Sequence, residues 1–327
     1  MDQVLKNSKV LVTGGAGFIG SNLIESLLLL GNHVVCLDNF STGKKQNLRD
    51  FNLNPNFKLI EGDIRNYNDC LNAVSNIDYV FHQAALGSVP RSIKDPVSTT
   101  DVNIGGFVKM LFASKEAKVR RFIYAASSST YGDHPGLPKV EDKIGNPLSP
   151  YGITKFADEL FAANFSKTYG IDVVGLRYFN VFGRRQDPDG AYAAVIPKFL
   201  KMLKNYESPV INGDGSFSRD FTYIDNVVQA NHLAAIVSNK AALNQVYNVA
   251  HGERTSLNQL FAYIREMAGI FDRKILKIKP VYGPERGGDI PHSLASIEKA
   301  RRLLGYSPTH NVKEGLEKAV EWYWKNL

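Results

Sequence analysis

Cysteine is scarce in this chain, because its 327 residues include only Cys36 and Cys70. Both lie in apolar segments that are typical of a buried strand and a helix. Two buried thiols are therefore expected, rather than a disulfide framework or a cysteine-based metal site. No metal site of any other kind is predicted.

Long hydrophobic runs are also missing. The apolar stretch Leu27–Leu30 is far shorter than the roughly 20 residues that a membrane-spanning helix needs, and the amino terminus has no signal-peptide pattern. A cytoplasmic protein with no membrane partner is therefore expected. Repeats and low-complexity segments are absent as well, and 44% hydrophobic with 22% charged residues is ordinary for a globular protein long enough for two domains.

Clusters of basic residues are the third absence. The chain has 39 lysines and arginines against 32 acidic residues, which gives a formal net charge of +7. These positive charges are dispersed, whereas nucleic-acid-binding segments concentrate them, so no nucleic-acid partner is predicted. A modest positive excess suits a cleft that binds pyrophosphate groups.

Short apolar runs rich in β-branched residues alternate with helical patterns over the first half of the chain. The predicted strands are Lys9–Thr13, His33–Leu37, Phe57–Glu61, Tyr79–His82, Arg121–Ala125 and Asp172–Leu176. This alternation predicts an α/β, doubly wound parallel sheet of the Rossmann type. Residues 1–178 with about 223–250 are assigned to this nucleotide-binding domain. Residues from about 179–222 with 251–327 are assigned to a smaller α/β substrate domain that closes over the carboxyl ends of the strands.

A glycine-rich turn follows the first predicted strand. Gly14, Gly17 and Gly20 open a helix predicted from Phe18 to about Leu30, and a helix amino terminus without side chains suits a pyrophosphate. The second strand leads into Asp38, whose carboxylate would accept hydrogen bonds from the adenosine ribose and repel a 2′-phosphate. This favours NAD over NADP. The alternative is that Asp38 only caps the turn that follows it.

A tyrosine and a lysine share one face of the helix predicted after Pro150. They are Tyr151 and Lys155, four residues apart. A phenol with a pKa near 10 is a poor base, and lowering that pKa to about 7 takes on the order of 4 kcal/mol. The Lys155 ammonium and a nicotinamide cation would supply it, and Ser127, at the end of the fifth strand, would share the proton. An exposed amphipathic pair is the alternative for Tyr-x-x-x-Lys alone.

In their order and in the spacing G-x-x-G-x-x-G, these motifs resemble the extended short-chain dehydrogenase/reductase superfamily. The resemblance implies a structural role for Asn103 and a set of cofactor contacts after successive strands. The implied NAD-binding residues are Gly14, Gly17, Phe18, Ile19, Gly20, Asp38, Asn39, Ser41, Thr42, Gly43, Asp63, Ile64, Gln83, Ala84, Ala85, Tyr151, Lys155 and Tyr178.

Over essentially its whole length the chain resembles UDP-sugar 4-epimerases, in particular bacterial ones that prefer N-acetylated substrates. The stretches that carry this likeness are Leu86–Ser92, Ser127–Pro138 and Gly190–Pro197. The residues implied to bind the UDP-sugar are Ser88, Arg91, Ser128, Ser129, Asn180, Ala194, Val195, Asn212, Arg219, Arg286, Asp289 and Ser293.

Four of these residues have specific expected roles. Arg219 and Arg286 would each donate two hydrogen bonds to the diphosphate, unless they are surface salt-bridge partners. Epimerases confined to UDP-glucose and UDP-galactose carry a bulky tyrosine where this chain has Ser293. Together with Ala194, this small side chain would leave room for a 2-acetamido group.

The serines after Ser127 bear on the type of reaction. Relatives that dehydrate or decarboxylate nucleotide sugars carry an acidic residue in these two positions, whereas this chain has Ser128 and Ser129. Without that carboxylate, oxidation at C4 followed by re-reduction remains. The expected activity is therefore NAD-dependent interconversion of UDP-GlcNAc and UDP-GalNAc through a 4-keto intermediate.

Several alternatives stay open. The substrate could be a UDP-GlcNAc-uronic acid or UDP-glucose/UDP-galactose, and a catalytically silent NAD-binding regulator would have the same fold. The helices near Val97–Ala117 and Tyr151–Tyr169 resemble those that form the family's dimer, so a homodimer is implied.

Overall fold

The computed structural model describes residues 4–187, 194–285 and 291–327. Its strands are β1 Lys9–Thr13, β2 His33–Asp38, β3 Phe57–Glu61, β4 Tyr79–His82, β5 Arg121–Ser127, β6 Val173–Tyr178, β7 Val181–Phe182, β8 Val210–Asn212, β9 Ser218–Arg219, β10 Thr222–Tyr223, β11 Gln245–Val249, β12 Thr255–Ser256 and β13 Val281–Gly283. Its α-helices are α1 Phe18–Leu29, α2 Tyr67–Ala73, α3 Val89–Lys94, α4 Pro96–Thr100, α5 Phe107–Glu116, α6 Pro150–Tyr169, α7 Val195–Lys204, α8 Ile224–Ile236, α9 Leu257–Ala268, α10 Glu298–Leu304 and α11 Val312–Asn326.

Seven of the strands form one parallel sheet in the order β11-β6-β5-β4-β1-β2-β3. The strand order reverses beside β1, because β2 lies on one side of it and β4 on the other. This is the doubly wound arrangement that the sequence predicts, and the predicted fold is confirmed. A ligand crevice is expected at the carboxyl ends of the strands, next to this reversal.

The predicted ends of three strands were wrong. β2 ends at Asp38 instead of Leu37, and the other two strands are β5 and β6. β5 continues to Ser127 instead of stopping at Ala125, and β6 spans Val173–Tyr178 instead of Asp172–Leu176. The two extensions pair with each other, with Ser127 opposite Tyr178. Backbone hydrogen bonds between β5 and β6 thus extend both strands beyond the apolar runs on which the prediction was based. The seventh strand, β11, was not among the predicted ones.

Apolar side chains cover both faces of the sheet, as a parallel sheet between helices requires. Val10 and Val12 of β1 belong to one buried cluster and Leu11, between them, to the other. The first cluster continues past the sheet to Ile211 and Leu316. The carboxyl-terminal segments therefore share a core with the sheet, and the division into two domains stays a prediction.

The two cysteines are buried and free. Burial raises the pKa of the Cys70 thiol to about 12, which makes it unreactive. Within the described residues, no group of three or more histidine, cysteine, aspartate or glutamate side chains is placed to hold a metal ion. In the same ranges, no helix combines the length and the apolar character needed to cross a bilayer.

Candidate active site

A cavity of about 320 Å³ lies where β1 to β4 end. Its lining includes all the predicted cofactor residues except Tyr151, Lys155 and Tyr178. It also includes residues outside the predicted set, namely Leu37, Gly62, Leu86, Gly87 and Val102. Four of these follow or end a predicted strand, so their position was a usable signal. Val102 lies within a helical run and carries no local signal.

The three glycines of the first turn are needed for different reasons. Gly14 has φ +68°, and a Cβ there would lie 2.7 Å from the Ala84 backbone. A Cβ on Gly20 would lie 2.2 Å from the Gly14 carbonyl oxygen. Gly17 has φ −76°, and the nearest atom to an added Cβ is that same oxygen at 3.2 Å. Backbone packing thus explains Gly14 and Gly20, whereas at Gly17 the missing side chain mainly clears the cavity.

The amino terminus of α1 fits a diphosphate. In the described chain no side chain caps this helix at Gly17, so its first-turn amides keep free N–H donors. These donors and the positive end of the helix dipole point toward the cavity lined by Phe18 and Ile19. The residues present therefore suit the pyrophosphate of a dinucleotide.

Two carboxylates, Asp38 and Asp63, line the cavity. Asp38 accepts hydrogen bonds from the backbone amides of Ala16 (2.9 Å) and Phe40 (2.8 Å), and burial raises the pKa of its carboxyl. The capping role considered for Asp38 is thus real, and each oxygen retains a lone pair for a ribose hydroxyl. Hydrogen bonds from Arg65 hold the pKa of Asp63 at about 2. A negative charge at this position disfavours a 2′-phosphate.

Lys155 reaches from α6 to β5, the strand that ends in Ser127. Ser127 is 8% exposed, and its Oγ accepts a hydrogen bond from the Ser129 amide at 3.1 Å. Lys155 is buried, and its Nζ donates to the Ala125 carbonyl oxygen at 3.1 Å. A second donation, to Asp158 Oδ2 at 3.1 Å, was not predicted from the sequence.

Tyr151 lies in the first turn of α6. The helix is capped by Ser149, which accepts from the Gly152 amide at 3.1 Å, and the Tyr151 amide donates to Ser92 Oγ at 3.0 Å. Two serines from different segments thus fix the start of this helix. The positive end of the helix dipole lies at this turn.

Asn103 connects the cavity to the Tyr151 helix. It lies in a π-helical segment between α4 and α5. Its Oδ1 accepts from the Leu86 amide at 2.8 Å, and its Nδ2 donates to Thr154 Oγ1 at 3.0 Å. One amide side chain therefore bridges a cavity-lining residue and the helix that carries Tyr151 and Lys155.

Tyr178 reaches the cavity through another side chain. Its hydroxyl donates to Gln83 Oε1 at 3.2 Å and accepts from Asn231 Nδ2 at 2.9 Å. Burial raises the pKa of Tyr178 to about 12, so the hydroxyl stays neutral. Asn231 was not predicted, because it lies inside α8 and no motif marks it.

Several predicted substrate residues surround the carboxyl ends of β5 and β6. Ser128 and Ser129 form a short helical turn directly after Ser127. Asn180 is exposed, has φ +35°, and donates from Nδ2 to the Asp220 carbonyl oxygen at 3.0 Å. Ser88 caps α3 by accepting from the Arg91 amide at 3.2 Å, so both residues lie beside Ser92.

The other predicted substrate residues come from the second half of the chain. The Ser293 amide donates to the Ser218 carbonyl oxygen at 3.0 Å, which places Ser293 beside the strand that carries Arg219. Asn212 ends β8, which pairs with β13. Ala194 is exposed just before α7, which starts at Val195. Arg286 and Asp289 lie outside the described residues, as does the first half (190–193) of the stretch 190–197.

A buried carboxylate holds this second group together. Asp220 accepts hydrogen bonds from the backbone amides of His251 (3.1 Å), Gly252 (3.1 Å) and Ala295 (3.2 Å). Burial raises its pKa to about 7, and these amides oppose the rise. Asp220 thus ties the segment that follows Arg219 to the segment that follows Ser293, and ties both to His251 and Gly252.

Residues 10–250 match the model of the NAD dependent epimerase/dehydratase family. This match covers most of the chain, and it agrees with the Rossmann-type sheet, the uncapped helix terminus and the carboxylates of the cavity. The chain belongs to this family, and its cofactor is NAD.

Within the family, the similarity to particular proteins extends over the full length. A protein of Methanocaldococcus jannaschii named putative UDP-glucose 4-epimerase is 36% identical over 321 residues, covering 97% of this chain and 99% of the relative. The structure of the UDP-N-acetylglucosamine 4-epimerase of Methanobrevibacter ruminantium, in complex with UDP-N-acetylmuramic acid, has a TM-score of 0.91 and 40% identity over 99% of this chain and all (100%) of that one. The UDP-glucuronic acid 4-epimerase of Bacillus cereus, with UDP-glucuronic acid and NAD, has a TM-score of 0.88 and 34% identity, covering 98% and 100%.

Proposed function

We propose that the protein is a UDP-N-acetylglucosamine 4-epimerase, which interconverts UDP-GlcNAc and UDP-GalNAc through a 4-keto sugar. The broader activity, NAD-dependent 4-epimerisation of a UDP-sugar, is the one that its full-length relatives are named for. The observation that carries epimerisation is the end of β5, where Lys155 binds the Ala125 carbonyl oxygen and Ser127 is followed by Ser128 and Ser129 instead of a carboxylate.

Tyr151 is the proposed base. As a phenolate it removes the proton from the sugar 4-hydroxyl, and it returns a proton to the oxygen when C4 is reduced on its opposite face. The positive charge of the Lys155 ammonium would attract this phenolate. Bound NAD supplies the hydride acceptor, and then the donor, at C4.

Ser127 orients the proton that moves. Its Oγ already accepts a hydrogen bond from the Ser129 amide, so its own hydroxyl proton is left to donate. A donor at this position would hold O4 of the sugar, or the phenolate oxygen of Tyr151, as the proton passes between them.

Inversion also requires the ketosugar to turn over while UDP stays bound. The site must therefore grip the nucleotide firmly and the hexose weakly. Arg219 would hold the diphosphate, while the small side chains of Ser293 and Ala194 would leave the sugar loosely packed.

Support for the N-acetylated substrate is twofold. The relative at 40% identity is named for UDP-N-acetylglucosamine, and Ser293 is small where a bulky residue would exclude the acetamido group. Other relatives are named for UDP-glucose and UDP-glucuronic acid, which makes these sugars the competing substrates.

A substrate panel tests this function. Purified protein, first without added NAD and then with it, is incubated with UDP-GlcNAc, UDP-glucose, UDP-glucuronic acid and UDP-GlcNAc-uronic acid, and the C4-inverted products are quantified by NMR. The highest kcat/KM is expected for UDP-GlcNAc. Tyr151→Phe should bind NAD normally and lose at least about 100-fold in kcat. A higher kcat/KM for another sugar would refute the proposed substrate, and no inversion of any sugar would refute the function.

A homodimer is the proposed assembly. Helices α3 and α4 pack against α6, and together they expose apolar side chains such as Val97 (78% exposed), Ile153 (54%) and Leu160 (57%). Ile153 and Leu160 are seven residues apart, so they lie on the same face of α6. A contiguous apolar face of this kind is typical of a subunit interface.

A further inference from the structure

The Lys155 ammonium is held by two partners. Its Nζ lies 3.1 Å from the Ala125 carbonyl oxygen and 3.1 Å from Asp158 Oδ2. An ammonium has three N–H donors. One is therefore engaged by β5 and one by Asp158 of α6, and the third is left for the cofactor or for Tyr151.

Stability does not readily explain the burial of Asp158. Its side chain is 0% exposed, and its Oδ1 has no hydrogen-bond partner among the described residues. A buried ion pair seldom recovers the desolvation of both charges, and an unsatisfied carboxylate oxygen adds to the cost. Burial raises the pKa of this carboxyl to about 7, although the Lys155 ammonium opposes the rise.

We propose that Asp158 is a positioning residue for the Tyr151–Lys155 pair: its carboxylate fixes the Lys155 ammonium, and its negative charge offsets part of the positive charge that the ammonium presents to Tyr151. The inference rests on the proposed function, in which Tyr151 is the base. A negative charge beside Lys155 offsets part of the positive potential that the ammonium exerts on Tyr151. The same charge attracts the Lys155 ammonium directly, at 3.1 Å.

Other ionisable groups face this pair from the neighbouring elements. They are Glu159 on α6, Tyr124 on β5, His82 on β4 and Arg177 on β6. Arg177 binds both carboxylate oxygens of Glu159, at 2.8 and 2.7 Å, so these two charges compensate each other.

Neither remaining neighbour is charged near neutral pH. Burial lowers the pKa of His82 to about 3, with a further contribution from Lys155, and burial raises the pKa of Tyr124 well above its usual value. Among the described groups that face Lys155, Asp158 is therefore the one expected to change its charge between pH 6 and 8.

Two neutral variants test the inference. Asp158→Asn and Asp158→Thr both remove the charge and leave an oxygen that accepts a hydrogen bond from Lys155. Glu116→Gln on α5 removes an exposed carboxylate and is the matched control. The measurement is kcat/KM of the NAD-loaded enzyme as a function of pH. In the Asp158 variants we expect the acid limb and the alkaline limb of this profile to move to lower pH by about one unit. In the control neither limb should move.

Two outcomes would overturn the role of Asp158. One is an unchanged pH profile in a variant that folds and binds NAD. The other is failure of both neutral variants to fold, because Asp158 would then have a structural role only.

A second measurement does not depend on the identity of the substrate. The pKa of Tyr151 is read by NMR from 13C-labelled tyrosine in the NAD-loaded protein, with the Tyr151 signal assigned by its loss in Tyr151→Phe. Asp158→Asn should lower the pKa of Tyr151 by about one unit. An equal pKa in wild type and variant would refute the inference. If the wild type inverts no UDP-sugar, the proposed function fails, and this titration still decides the role of Asp158.

Discussion

The side chain at position 293 is the proposed determinant of the size of the sugar. Ser293 is held beside the strand of Arg219 by its backbone amide, so a larger side chain there would occupy space next to the proposed diphosphate site. Replacement with tyrosine adds a ring without removing a hydroxyl.

Ser293→Tyr is predicted to lower kcat/KM for UDP-GlcNAc at least tenfold more than for UDP-glucose, since steric exclusion of a substituent is an effect of about this size or larger. Steady-state kinetics with both substrates, in wild type and variant, measures the two losses of kcat/KM. Ser238→Tyr, at an exposed position, is the control. An equal loss for both sugars would mean that Ser293 does not govern acceptance of the acetamido group.

Gly17 and Gly20 allow a comparison within one turn. Gly17→Ala should weaken NAD binding and leave folding intact, because its Cβ projects into the cavity and meets little else. Gly20→Ala should lower the free energy of unfolding by about 1–3 kcal/mol, because its Cβ would collide with the Gly14 carbonyl. NAD titration and urea denaturation of both variants separate the two effects. Similar behaviour of the two variants would contradict the assignment.

At the scale of elements, His232 of α8 ties two other segments together. Its Nδ1 accepts from the Leu5 amide at 3.3 Å, and its Nε2 lies 2.9 Å from Ser26 Oγ on α1. Because the Leu5 amide can only donate, Nδ1 carries no proton in this arrangement. Protonation of the ring would break the contact with Leu5.

Stability should therefore fall at acid pH through His232. Burial lowers its pKa in the folded state to about 4, from an ordinary value of 6.5. The unfolded chain binds this proton first, so stability present above pH 6.5 is lost as the pH falls toward 4. His232→Gln should reduce the loss of unfolding free energy between pH 7 and pH 5 by about 1–2 kcal/mol. Urea denaturation at both pH values measures it, and the exposed His33→Gln, which should change nothing, is the control.

The motifs that could be predicted best from the sequence are those that directly follow a strand. The segments after β1, β2, β3 and β4 each carry their own signal, and a parallel sheet brings such segments to one edge whatever the rest of the chain does. Residues that lie inside helices and outside a motif gave no comparable signal. Val102, Asn231 and Asp158 reach their positions only when the π-helical segment, α8 and α6 pack, and local spacing does not specify those contacts.

The same reasoning explains the errors at the strand ends. Serine has little preference for strands, so the pattern stopped β5 at Ala125, and pairing with β6 extends it to Ser127. The seventh strand was missed because Gln245 and Asn248 interrupt its apolar pattern and it follows a long irregular region.

At the scale of the whole molecule, the apolar face of α3, α4 and α6 predicts self-association. The double variant Ile153→Glu/Leu160→Glu should halve the molar mass measured by light scattering, because it buries two charges in the proposed interface. Leu29→Glu/Leu53→Glu introduces the same charges at exposed leucines elsewhere and should leave the mass unchanged. A monomeric wild type would exclude the dimer, and an unchanged mass of the first variant would exclude this face.

The position of β11 also has a consequence for synthesis of the chain. β6 is buried along its whole length, yet its outer neighbour β11 emerges from the ribosome only after β7 to β10 have been made. Until then, a nascent chain that has formed the first six strands exposes an apolar strand edge, which is the kind of surface that pairs with other chains. The segments from β7 to β10 are thus translated while this strand edge is still free to pair with another chain.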